Sequence, residues 1–175
     1  MKEGERLRLL ASVVQMLDEV GSWTGRMHIQ KFLYFAQELL GLESDYEFVL
    51  YQRGPYSFDL DADIRSLRSI GAVDITPKPP YGPSYGVTAL GEVLGKPSPV
   101  GKQVLAKLQA LASELGPKRA TDLELLATTL YVLNNERPES DKATVRRVIS
   151  LKPQFSKDDA EKAIQQVRQI QAALN

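Results

Sequence analysis

Thr24-Gly25-Arg26-Met27-His28-Ile29-Gln30-Lys31-Phe32-Leu33-Tyr34-Phe35-Ala36-Gln37-Glu38-Leu39-Leu40 decides how the rest of this 175-residue chain is read. On a helical wheel Ile29, Phe32, Leu33, Ala36, Leu39 and Leu40 make a broad apolar face, and Met27, Tyr34 and Phe35 place apolar groups on the opposite side. A helix that is apolar round most of its circumference must be covered on more than one face. The stretch is therefore expected to be a central helix, capped by Thr24 and closed by Gly41, with other elements wrapped around it.

Before it, Leu9, Leu10, Val13, Val14, Leu17 and Val20 keep the spacing of an amphipathic helix over residues 5–20, and Gly21 is placed to end it. After it, residues 45–52 (Asp-Tyr-Glu-Phe-Val-Leu-Tyr-Gln) are rich in aromatic and β-branched residues and read as a strand. Gly54-Pro55-Tyr56-Ser57 reads as a turn whose serine caps a helix, with Leu60, Ile64, Leu67 and Ile70 on one face and Gly71 as the stop. Residues 72–76 and 85–88 are short extended segments. The prolines at 77, 79, 80 and 83 keep the connection between them out of helix and central strand, which predicts a hairpin.

Helix, helix, strand, helix and hairpin is close to a winged-helix order. Residues 1–95 are accordingly expected to be a winged-helix-like module, closed by a short helix capped by Thr88. Past a Gly- and Pro-rich linker the chain reads as helical. Val100, Val104, Leu108, Leu111 and Leu115 form one seam, and Thr121 with Glu124 suggests a capping box. A helix near 142–150 ends before Pro153, and Ser156 with Asp159 opens a last helix carrying Ala163, Val167, Ile170 and Leu174. Residues 98–175 are thus a helical module, expected to pack on the first as one compact unit. The fold class is mainly α, of the α+β kind, with a small β-hairpin.

Composition is that of a globular chain, 43% apolar and 25% charged. Twenty-two basic residues balance 22 acidic ones, so no global field draws it to nucleic acid or an anionic membrane. The absence of cysteine excludes disulfides, thiolate metal sites and thiol nucleophiles. The amino terminus alternates charged and apolar residues, and no run approaches the roughly 18 apolar residues of a membrane span, so a cytoplasmic location is expected.

No catalytic constellation emerges. His28 is the single histidine and reads as a packed side chain without a nucleophile or orienting carboxylate assigned to it. Asp59, Asp61 and Asp63 lack the glycine and glutamate of a calcium loop, because Ile64 and Ile70 occupy those places. The glycines form neither a Walker loop nor a dinucleotide fingerprint. The expectation is no catalytic, metal or cofactor-binding residue.

A winged helix would put Arg65, Arg68 and Lys78 toward nucleic acid, yet Asp61 precedes Arg65 by four residues and answers part of its charge. Asp59 and Asp63 would meet phosphates of like sign, which makes that contact the alternative and not the first choice. Lys142, Arg146, Arg147 and Lys152 form the clearest basic cluster and read as a solvated face. Arg53, Tyr56, Tyr81 and Tyr85 are the residues least explained by folding, and arginine with tyrosine is the preferred anchor chemistry of protein interfaces.

Residues 29–37 (Ile-Gln-Lys-Phe-Leu-Tyr-Phe-Ala-Gln), the aromatic strand, Gly54-Pro-Tyr-Ser57 and the helix ending Leu67-Arg-Ser-Ile-Gly71 together resemble the YwgA-like proteins and, more distantly, the Panacea antitoxin domain. Leu123-Glu-Leu-Leu-Ala-Thr128 and Lys152-Pro-Gln-Phe-Ser156 resemble the C-terminal half of the YwgA-like group. The resemblance implies a small bacterial or archaeal cytoplasmic protein, and its Panacea side implies antitoxins that act by binding toxins. It supplies no catalytic residue. The expected function is therefore a non-enzymatic partner-binding or regulatory protein, antitoxin-like in action, whose partner is another protein such as a toxin or regulator. A winged-helix DNA-binding regulator is the alternative and an enzyme of unknown class ranks third. A homodimer through the seam from Val100 to Leu115 is also open.

Overall fold

In the computed structural model, which describes residues 1–80 and 82–174, the chain opens with α1 (Glu3–Glu19) and α2 (Arg26–Leu40). A hairpin of β1 (Val49–Tyr51) and β2 (Gly54–Tyr56) leads into α3 (Phe58–Ser69), and a second hairpin of β3 (Val73–Thr76) and β4 (Ser84–Val87) leads into α4 (Ala89–Leu94). Then follow α5 (Lys102–Leu115), α6 (Ala120–Tyr131), a π-helical turn (Val132–Glu136), α7 (Asp141–Leu151) and α8 (Lys157–Leu174). The molecule is mainly helical, of the α+β kind. Among the described residues no helix is long and apolar enough to cross a membrane.

The stretch around α2 is wrapped as its pattern requires. Every residue from His28 to Ala36 is buried, and α2 touches α3, β2, α5, α6 and α8. Each large apolar side chain so buried is worth about 1.5–3 kcal/mol against exposure, so Phe32, Leu33, Phe35 and their neighbours dominate the stability of the whole molecule. α2 thus lies under both halves of the chain, touching α3 and β2 from the first and α5, α6 and α8 from the second.

Several caps follow the residues that predict them. Gly41 is left-handed and closes α2, Ser57 Oγ accepts from the Leu60 amide, and Thr88 Oγ1 accepts from Gly91. Ser156 and Asp159 exchange backbone-to-side-chain hydrogen bonds as a capping box.

Four expectations are corrected. Thr24 does not cap α2: its hydroxyl donates to the Tyr85 carbonyl at 2.5 Å, and Gly25 takes the cap position. Glu124 is not a capping residue, because α6 begins earlier, and Asp122 accepts from the Arg119 amide while Glu124 turns inward. Ile70 follows the last turn of α3 and is 51% exposed, so the buried stripe ends at Leu67. Gly54–Tyr56 is a strand, not a turn. Gln52 and Arg53 form the bend, and only Val49–Tyr51 of the longer expected strand pairs with it.

Candidate partner-binding surface

The β1–β2 hairpin owes its position to polar side chains buried in the middle of α2. Leu50 lies opposite Pro55 in the register. A proline has no N–H, so this pair makes no ladder bonds and the Pro55 carbonyl points away from β1. Lys31 meets it: Nζ donates to the Pro55 oxygen at 2.6 Å from a side chain with no solvent exposure. One residue before, Gln30 holds both backbone groups of Ser57, its amide donating to the carbonyl at 2.8 Å and its oxygen accepting from the N–H at 2.9 Å. Tyr56 is therefore fixed on both sides by adjacent residues of one helix.

The C-terminal half adds a second anchor. Lys152, buried after α7, donates to the Gln52 carbonyl at 2.5 Å and to Glu124 at 2.6 Å, while Gln154 reaches the same carboxylate oxygen at 3.3 Å. Glu124 thus pairs with Lys152 and lies near enough to Lys31 to act on its charge. Burial pushes the Lys31 ammonium down to about 7, with Glu124 opposing the shift and Lys152 adding to it. Gly54 makes the close approach workable. It adopts φ +84°, and a Cβ there would sit 2.8 Å from Thr128 Oγ1 on α6.

On its outer side the anchored hairpin carries an aromatic group. Val49, Tyr51 and Tyr56 share that face by register. Tyr51, Tyr56 and Phe58 touch pairwise, with ring centroids 5.1–5.7 Å apart and mostly edge-to-face, within the range of favourable aromatic pairs. Tyr51 is 49% exposed and Phe58 58% exposed. Beside them lies Asp61, buried at the start of α3. Arg26 Nε is 3.0 Å from Asp61 Oδ1, an ion pair not aligned as a hydrogen bond, and Arg65 pairs with the other oxygen. Asp61 and both arginines lie close enough to act on the Tyr56 hydroxyl. Burial pushes its hydroxyl pKa up, with Asp61 adding to the shift and the arginines opposing it.

The residues expected at a partner surface fare unequally. Tyr56 lies on this patch, and Arg53 is exposed at the bend of the same hairpin. Tyr85 is 4% exposed and serves from within, its carbonyl accepting from the Thr24 hydroxyl. Tyr81 lies outside the described residues. Of the residues expected toward nucleic acid, Arg65 is committed to Asp61, Lys78 sits 5.1 Å over the Trp23 ring and Arg68 is exposed on α3. Asp63 does not face solvent. It accepts from Arg6 at 3.0 Å and Tyr46 at 2.9 Å, fastening α1 and the α2–β1 loop to α3. His28 is packed, its Nε2 3.0 Å from the Lys118 carbonyl, and burial lowers its pKa. Of the basic cluster, Lys142, Arg146 and Arg147 are solvent-exposed as expected, Arg147 pairing with Glu136, and only Lys152 is corrected, being buried on Glu124.

Sequence reasoning missed Arg26, Tyr51 and Phe58 as surface residues and Gln30, Lys31, Glu124 and Lys152 as anchors. The anchors left a signal, since Gln30 and Lys31 interrupt a helix that must be covered on every side, and a buried polar group demands a partner. Compared with models of known protein families the chain matches none, and comparison with curated proteins finds no relative.

Proposed function

We propose that this chain is a non-enzymatic partner-binding protein that acts by holding another protein, in the manner of an antitoxin or a regulator. The observation that carries the proposal is the aromatic triad of Tyr51, Tyr56 and Phe58: two half-exposed rings around a partly buried one, bordered by arginines, where a hairpin bound to the core by its backbone runs into α3. Rigid aromatic anchors next to arginine are what interface hot spots are made of, because they bury large areas with little loss of side-chain freedom. The motif resemblance to YwgA-like and Panacea sequences points the same way. Nucleic acid is the weaker reading, since Arg26 and Arg65 converge on one carboxylate instead of being spaced along a phosphate backbone, and Lys78 lies over the Trp23 ring.

The test compares proteins captured from native lysate by the wild type and by a Tyr51→Ser, Phe58→Ser double variant, with far-UV circular dichroism confirming the fold. Loss of specific partners in the variant supports the proposal. Identical partner profiles remove the triad from it.

A further inference from the structure

Resting on that reading, we propose that the bound partner segment presents a carboxylate beside an aromatic or large aliphatic side chain, with Arg26 and Arg65 taking the carboxylate and the aromatic triad taking its neighbour. Asp61 is the reason. It is buried, so it offers nothing to a ligand, yet it holds two guanidinium groups at one place. One carboxylate against two cations leaves a net positive charge, and the two guanidinium groups are each more than half exposed, at 52% and 63%. A guanidinium has five donors in a fixed fork, and a single carboxylate cannot occupy two such forks. What remains is a pre-oriented pair suited to a second carboxylate from outside.

The surroundings do not supply that carboxylate. Asp63 is consumed by Arg6 and Tyr46, and the exposed Asp59 forms no ion pair with Arg26 or Arg65. Arg53, at the bend of the hairpin, adds a third exposed cation. Tyr56 joins the two parts of the surface, with its ring in the triad and Asp61 and both arginines close enough to act on its hydroxyl. The pair of arginines converges on one point, which fits one carboxylate. A nucleic acid backbone instead needs cations spaced along it.

The experiment pans the full chain against a displayed random-peptide library, with the Tyr51→Ser, Phe58→Ser variant as control. An enriched peptide is then made with a fluorescent label, alongside a version whose Asp or Glu is replaced by its amide. Expected are enriched sequences pairing Asp or Glu with Phe, Tyr, Trp or Leu, and a loss of about tenfold or more in affinity on amide replacement. Arg65→Lys, which keeps the charge on Asp61 and removes the fork, weakens binding as well, and Phe58→Ala weakens it separately. Enrichment of peptides without a carboxylate, or affinity indifferent to Arg65→Lys and to an Arg26→Gln variant, overturns the proposal. If such neutral peptides are still lost with Tyr51→Ser and Phe58→Ser, partner binding by the triad survives and only the acidic preference fails. No enrichment over the control, or tighter binding of single-stranded oligothymidine with the same dependence on Arg65, also overturns it.

Discussion

Lys31 is where sequence pattern and structural role part most sharply. A lysine in a helix normally reaches solvent along its flexible stem, but here it is enclosed, and its nitrogen meets a carbonyl that proline leaves unpaired. Its lowered pKa has a direct consequence for stability. Between about 7 and the ordinary lysine value the unfolded chain holds a proton that the folded chain has released. Unfolding therefore takes up a proton, and stability rises with pH across that window. Urea titrations of the wild type from neutral to alkaline pH are expected to show this rise, and Lys31→Met to flatten it. Glu124 carries the complementary expectation. Glu124→Gln leaves Lys152 without its counter-charge and costs about 3–5 kcal/mol, the usual penalty for breaking a buried pair from one side. A Glu124→Met, Lys152→Met double variant costs less than Glu124→Gln, which urea unfolding of the variants measures.

Among the elements, the β1–β2 hairpin is the one whose geometry depends most on single residues. Gly54 and Gly21 both have positive φ, at 84° and 70°, but a Cβ at Gly21 meets nothing within 4 Å whereas one at Gly54 meets Thr128. Gly21→Ala therefore costs only the backbone strain, about 1 kcal/mol. Gly54→Ala costs more, and Thr128→Ala recovers the excess but not the strain; denaturant midpoints for the four proteins check both statements. The helices were largely legible, because Gly41, Ser57, Thr88 and the Ser156–Asp159 pair act on neighbours within a turn. The hairpin was not. Its strands are three residues each, its bend Gln52-Arg53 contains no glycine, and its register is held by Lys31 and Lys152, groups distant in sequence. Of the binding surface, Tyr56 was legible from its setting beside Pro55. Phe58 and Arg26 carried no such signal, because the pattern of α3 begins at Leu60 and Arg26 meets Asp61 only across a distance of 35 positions in the chain.

Over the whole molecule, the apparent division near residue 95 is a division of sequence more than of packing. A winged-helix-like module with its own core would cover α2 by itself, but α2 is also overlaid by α5, α6 and α8. Gly54 rests on α6, and Lys152 bonds the hairpin from beyond α7. Removing residues 96–175 would uncover the part of α2 that α5, α6 and α8 cover and take Glu124 away from the buried Lys31, a change no surface relaxation offsets. Two outcomes are expected. The intact chain unfolds in urea in one transition, with fluorescence of the single tryptophan, Trp23, near the start of α2, coinciding with far-UV circular dichroism, which chiefly follows the more helical C-terminal half. The fragment 1–95 gives no cooperative transition and associates through its uncovered helix. A fragment that folds alone with native Trp23 fluorescence would make the two halves independent domains, and α2 the core of only the first.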